Sequence, residues 1–204
     1  MKLIIASNNE HKVKEIKEIL GSFFTDISTL KEAGVDIDVV EDGETFEQNA
    51  IKKATEVLAA CPDFDAVLAD DSGLSVDALG GAPGVFSARY AGDEHDTAAN
   101  NKKLMLEMQN VPDGKRGARF LCCIALARHH KDSLCVLGSC EGEILHSARG
   151  QNGFGYDPYF FYPPLQKSFA ELSAKEKNDV SHRHNALMLL KTELENECEN
   201  WSLF

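Results

Sequence analysis

The chain has 204 residues, 43% hydrophobic and 26% charged, the balance of one soluble globular domain long enough to bury a real core. Its 33 acidic and 21 basic residues give a net charge of -12, which argues against a general nucleic-acid binder, since that class needs a basic face. A phosphate ligand stays open, because a local cluster of Lys, Arg, a helix N-terminus and a divalent metal overcomes the global sign. The apolar start at Leu3-Ile4-Ile5-Ala6 is too short for a signal-peptide core and no run reaches membrane-spanning length, so a cytoplasmic location is expected.

Residues Lys2 to Ala6 read as a short buried strand. Ser7-Asn8-Asn9 then offers helix N-caps, Val13, Ile16, Ile19 and Leu20 follow at helical spacing, and Gly21 ends the helix. A helix N-terminus opening beside a strand's end suits an anion. Lys12 falls in the first turn, where a cation opposes the helix dipole unless an anion is bound; a solvated surface lysine would leave the same trace.

Ile27 to Leu30 suggests a second strand, and Glu41-Asp42-Gly43-Glu44 an acidic turn. Thr45 is placed to cap a helix whose Phe46, Ala50, Ala54, Val57 and Leu58 share one face. The run Ala66 to Asp70 reads as a strand that ends in a turn at Asp71-Ser72-Gly73. Side chains of successive strand residues point to opposite faces. If the strand runs through them, one of Asp70 and Asp71 faces a site and the other caps a turn or pairs inside; an ordinary turn also explains these residue types.

Leu79 to Gly84 is too rich in Gly and Pro for a regular element, and Ala98 to Met108 reads as a helix. Arg119 to Ala127, Ser133 to Ser139 and Glu141 to His146 suggest three strands of an antiparallel meander. A Gly-rich loop over Gly150 to Pro158 carries Phe154, Tyr156 and Asp157, and Ser181 to Glu195 closes the pattern as a helix with Ala186, Leu187, Leu190 and Leu194 inward. The whole is a mixed α/β chain without repeat or linker.

The six cysteines form no C-x-x-C pair, so zinc and redox motifs are not expected; Cys122 and Cys123 read as small core residues, reduced in a cytosolic setting. There is no P-loop, no G-x-G-x-x-G after the first strand and no G-x-S-x-G elbow. What remains is four polar clusters in loops or element ends: Ser7 to Lys12, Glu41 to Glu44, Asp70 to Gly73, and Gly153 to Asp157 with Lys177 to Arg183. Together they hold the groups a nucleoside triphosphate site uses: carboxylates for magnesium, lysine and a helix N-terminus for phosphate, Arg and His for directional contacts, and an aromatic face for a base.

In order and wording, Ser7-Asn8-Asn9-Glu10-His11-Lys12, Asp70-Asp71-Ser72-Gly73-Leu74, Gly80-Gly81-Ala82-Pro83-Gly84, Ser87-Ala88-Arg89-Tyr90, Gly153-Phe154-Gly155-Tyr156-Asp157-Pro158 and Ser181-His182-Arg183 resemble the inosine triphosphate pyrophosphatase family, from Leu3 to about Leu190. The resemblance implies an elongated, two-lobed α/β fold over residues 1–204, with a central mixed β-sheet flanked by helices and an active-site cleft between the lobes. It implies a magnesium-dependent homodimer that splits inosine, deoxyinosine and xanthosine triphosphates into nucleoside monophosphate and pyrophosphate.

Carried over by motif, Ser7, Asn8, Asn9, Glu10, His11 and Lys12 bind the triphosphate, with Ser7 standing where many relatives have Thr. Asp71 ligates magnesium and accepts the proton of the attacking water, with Asp70 the alternative base. Glu41 is the second metal contact, with Glu44 the fallback. Ser72 touches the substrate; Phe154, Gly155, Tyr156 and Asp157 hold base and sugar; and Lys177, His182 and Arg183 complete the pocket near the base. Two other readings stay in view: a pyrophosphatase for another modified nucleotide, such as a pyrimidine triphosphate, and a nucleotide-binding regulator without turnover.

Overall fold

A computed structural model describes residues 1–7, 9–92 and 96–201, and the side chains of Glu10, His11, Glu199, Asn200 and Trp201 are outside that description. Seven strands form one sheet in the order β2-β1-β3-β4-β5-β6-β7. They are β1 (Lys2–Ile5), β2 (Asp26–Thr29), β3 (Ala66–Val76), β4 (Gly117–Arg128), β5 (Lys131–Ile144), β6 (Phe160–Tyr162) and β7 (Lys167–Ser168). The helices are α1 (Glu10–Leu20), α2 (Phe46–Ala60), α3 (Thr97–Glu107), α4 (Ala174–Val180) and α5 (His182–Trp201). β1 pairs in parallel with β2 and β3, while β5, β6 and β7 pair antiparallel, so the sheet is mixed, as expected. Two residues join β4 to its neighbour β5, a connection only an antiparallel pair permits.

The chain divides into two compact units: Met1–Asp71 with Cys122–Gly138 and the chain from His184 onward, and Ser72–Leu121 with Ser139–Arg183. In the first unit, the period of two along the strands sorts the core into two layers. Leu3, Ile5, Ala66, Leu68, Cys122, Ile124 and Leu126 pack with Ile16 and Leu20 of α1 and with Ala186, Leu187, Leu190 and Leu194 of α5. Ile4, Ala6, Val67, Ala69, Cys123, Ala125 and Ala127 pack with Ala50, Ala54, Val57 and Leu58 of α2. Burying each large aliphatic side chain contributes roughly 1.5–3 kcal/mol.

The second unit has its own core, in which Phe120 meets Phe160 and Phe169 at centroid distances of 4.6 and 5.6 Å. Beside it Arg116 is 4% exposed and donates to four backbone carbonyls: Ile144 from Nε at 2.6 Å, Met108 and Val111 from Nη1 at 2.9 Å each, and Leu145 from Nη2 at 3.1 Å. Burial lowers its pKa from the usual arginine value.

The structure corrects two expectations. β3 does not stop at Asp70 but runs on through Asp71, Ser72 and Gly73 to Val76, because the pairs with neighbouring strands outweigh the turn preference of an Asp-Ser-Gly sequence. β5 is one 14-residue strand where two were expected; Cys140 and Ile144 stay buried along it, so the polar residues between them mark its outer face and not a break. The short helix α4 is an element the sequence pattern did not announce.

Candidate active site

Alternation along β3 settles the division of labour between its two carboxylates. Asp70 follows Ala66 and Leu68 onto the α1 face, is 3% exposed, and takes the Lys12 ammonium at 2.8 Å. The cation in the first turn of α1 thus has its anion inside the protein. Asp71 follows Val67 and Ala69 onto the α2 face, is partly exposed, and accepts a hydrogen bond from Asn49 Nδ2 at 2.9 Å. One aspartate pairs inside and the other is held by a neutral amide near solvent, as the spacing required for a continuous strand.

Asn49 is 1% exposed, and its Oδ1 accepts from the backbone N–H of Gly43 at 2.7 Å. This single amide therefore ties the acidic loop to Asp71. A Cβ at Gly43 would come within 2.7 Å of that oxygen, so glycine is what permits the approach. In the same loop Glu41 receives the Lys53 ammonium at 2.5 Å, with only 18% of the lysine and 31% of the glutamate side chain exposed. Glu44 is exposed, and its backbone N–H bonds Gln48. Asn49 and Lys53 are absent from the sequence expectation. Their signal was there: Asn49 is a polar residue three positions after Phe46 and beside Ala50 on the buried stripe of α2.

At the end of β1, Ala6 N–H bonds Leu68 O at 2.8 Å, which sets Ser7 alongside the end of the buried part of β3. Ser7 Oγ accepts from Asn9 N–H at 3.2 Å, and Asn9 Oδ1 accepts from Lys12 N–H at 3.3 Å, so Asn9 is the cap of α1. Asn8 is outside the described residues; Glu10 and His11 open α1.

The second unit carries the other expected residues. Ser72 is partly exposed in β3. Asp157 is buried, and its Oδ2 accepts both Phe154 N–H at 2.8 Å and the Lys177 ammonium at 2.5 Å. Lys177 Nζ also sits 4.6 Å from the centroid of the Phe154 ring, which is 63% exposed. The loop is locked from behind: Tyr156 OH donates to Ser87 O at 2.8 Å, and Asn101 Nδ2 to Gly155 O at 2.9 Å. Gly153 has a φ of +75°, and a Cβ there would collide with Asp157 Oδ2, so no other residue fits that turn. Asn101 is a further support the sequence did not single out, and Ser87, quoted only as part of a motif, is another.

Lys177 is placed by α4, whose Ser173 and Glu176 form a reciprocal capping box. Those hydrogen bonds, from the backbone first, hold the Glu176 carboxyl down at about 2. His182 and Arg183 open α5; His182 is 8% exposed and stacks on Phe120 with centroids 5.0 Å apart, while Arg183 is partly exposed. The structure therefore puts His182 in a core stack and brings Phe154, Asp157 and Lys177 into one cluster.

For a magnesium ion the donor chemistry is suitable. Asp71 and Glu41 offer hard carboxylate oxygens, and magnesium is commonly held by one or two carboxylates together with substrate phosphates. Among the described residues no group of three or more His, Cys, Asp or Glu is gathered for a metal.

The first unit of this mixed α/β protein carries the carboxylates, lysines and capped helix start, and the second carries an exposed aromatic ring backed by a lysine. The sequence profile of the Ham1 family matches residues 3–193. The dITP/XTP pyrophosphatase of Clostridium perfringens is 51% identical over 197 residues, covering 95% of this chain and 97% of that protein. The dITP/XTP pyrophosphatase of Leuconostoc mesenteroides is 52% identical over 196 residues, covering 95% and 96%. The solved Staphylococcus aureus Ham1 protein superposes with a TM-score of 0.88 at 41% identity, covering 97% of this chain and all of that one. The chain belongs to the Ham1 family, and the resemblance read from its motifs holds.

Proposed function

We propose that this protein is a nucleoside triphosphate pyrophosphatase that hydrolyses inosine, deoxyinosine and xanthosine triphosphates to the monophosphate and pyrophosphate, clearing non-canonical purines from the nucleotide pool. The observation that carries this reading is the near-full-length identity, about half of all positions, to relatives named dITP/XTP pyrophosphatases. The residue set supports it: the carboxylates and lysines that the reaction needs are folded into hydrogen-bonded positions.

Phosphoanhydride hydrolysis is chiefly positioning and charge neutralisation. Water attacks the α-phosphorus, the bond to the bridging oxygen of the β-phosphate breaks, and pyrophosphate leaves. Asp71 takes the proton of that water, while the Asn49 amide fixes the orientation of its carboxylate. The N-terminal turn of α1 offsets charge on the phosphates, with the Lys12 ammonium held in that turn by Asp70. Lys53 shares Glu41 and adds a second ammonium in the same unit. Asp71 and Glu41 would hold magnesium, which when bound supplies charge neutralisation on the phosphate oxygens.

Phe154, backed by Lys177, offers the base a stacking face, and Arg183 donates to the 6-keto oxygen. A 6-amino base leaves that donor unpaired, so adenosine triphosphate is rejected. We take the protein to act in the cytoplasm as a homodimer; among the described residues no helix is long and apolar enough to cross a membrane.

The test is pyrophosphate release from inosine, xanthosine, guanosine and adenosine triphosphates, with magnesium and with chelator. Magnesium-dependent release from the first two and none from adenosine triphosphate is expected; guanosine triphosphate, which shares the 6-keto oxygen, reports whether a 2-amino group is rejected. Tight binding of inosine triphosphate with no release from any of the four overturns the enzyme reading in favour of a regulator.

A further inference from the structure

The hairpin β4–β5 brings together two thiols that sequence spacing keeps apart. Cys123 and Cys135 are twelve positions apart, yet their sulfurs lie 2.9 Å from each other, within about 1 Å of the S–S bond length of about 2.05 Å. The packing explains the approach. Cys122, Ile124 and Leu126 share one face with Leu134 and Val136, while Cys123, Ala125 and Ala127 share the other with Cys135. Side chains on the same face of adjacent strands are direct neighbours, so the two thiols form a cross-strand pair on the side that α2 covers.

The two are not equivalent. Cys123 is 1% exposed, whereas Cys135 is only partly buried. The contact between the two thiols lowers the Cys135 pKa, and the same contact with burial raises that of Cys123. Glu47, in the first turn of α2, is close enough to act electrostatically on both sulfurs. The pair therefore lies beneath the helix whose Asn49 and Lys53 hold Asp71 and Glu41.

We propose that Cys123 and Cys135 are an oxidisable dithiol site, which a low-molecular-weight disulfide such as oxidised glutathione converts to an intrachain disulfide. The Cys135 thiolate attacks one sulfur of the small disulfide, forming a mixed disulfide and expelling the first thiolate. Cys123 gives up its proton to solvent base and attacks the Cys135 sulfur, expelling the second. The protein loses two electrons and two protons, and the small disulfide becomes two thiols.

The test uses the full-length protein incubated with oxidised glutathione, quenched in acid, unfolded, and alkylated so that every remaining thiol is labelled wherever it was buried. Expected are a loss of two labels of the six possible, a mass about 2 Da below the reduced chain before labelling, and a peptide pair linked through Cys123 and Cys135. In Cys123→Ser the step that expels the second thiolate is gone, so a stable glutathione adduct accumulates on Cys135. Full alkylation of Cys123 and Cys135 in the treated wild-type protein overturns the proposal, and so does glutathione or interchain crosslinking confined to the exposed Cys198.

Discussion

Asp71 and Asp70 are chemically identical neighbours with different surroundings, and the difference can be measured. Asp71→Asn keeps the Asn49 contact geometry but removes the proton acceptor. Pyrophosphate release should fall by about 10³-fold or more, within the range for general-base removal, with an unchanged circular dichroism spectrum. Full activity in that variant would return the base role to Asp70. Asn49→Ala takes away a hydrogen bond to a charged group, worth about 1.5–3 kcal/mol. Its expected signature is a kcat lowered about tenfold or more with little change in KM, because Asn49 is buried and acts through its hydrogen bond to Asp71. For Arg183→Ala the readout is a ratio: kcat/KM for inosine over adenosine triphosphate should drop by at least tenfold, and an unaltered ratio would refute the donor role.

At this scale the sequence was informative about chemistry and silent about supports. Lys12 was suspect because it opposed the dipole of α1, and the structure supplies its anion as Asp70. Asn49, Lys53 and Asn101 lie in no motif, and Ser87 lies in one without a role assigned to it; each works through a contact made by folding. His182 lies in the motif, yet it packs on Phe120, since a residue's place in a motif does not say which way its ring turns.

Among the elements, α4 is the one whose stability reaches the site most directly. Its seven residues are too few to be helical alone, and it is fixed at its start by the Ser173–Glu176 box. The Glu176 carboxyl has a folded value of about 2, below the ordinary value of about 4.3. A depressed carboxyl contributes stability that is fully present above the unfolded value and is lost as pH falls through the folded one. Urea midpoints of wild type and Glu176→Gln should therefore differ at pH 7 and converge as pH is lowered from about 4.3 toward 2. At neutral pH the same variant should raise KM, because Lys177 sits one residue further along α4 and holds Asp157.

Elements with a clean period were legible: β1, the α1 stripe, the Thr45 cap of α2 and the inward face of α5 all stand where the pattern put them. β3 and β5 were cut short because Asp-Ser-Gly and a polar outer face look like punctuation when neighbouring strands are out of sight. The thiol pair was invisible for a related reason. The C-x-x-C rule searches along the chain, and a hairpin brings partners together across it.

For the whole molecule, the net charge of -12 sets what it meets. At about 0.15 M salt the protein should leave the fluorescence anisotropy of a labelled DNA duplex unchanged at micromolar concentration, since binding to the phosphate backbone needs clustered cations released of their counterions. Where the boundary between the two units runs was not readable from the sequence. β3 and β4 each contribute to both, and so does β5, so no composition shift or linker marks the boundary; it falls between Asp71 and Ser72, inside one motif.

Arg116 bears on how a mutational map of this protein is to be interpreted. Its guanidinium serves four carbonyls from three nitrogens, and no other side chain spreads donors over that fan; lysine brings a single ammonium. Every substitution strands the buried carbonyls of Ile144 and Met108, so tolerance at position 116 will be as low as at Asp71 although Arg116 is spent on backbone carbonyls. A screen scored on survival alone would rank the two as equals. Only the amount of folded protein recovered separates a residue that shapes the molecule from one proposed to perform its chemistry.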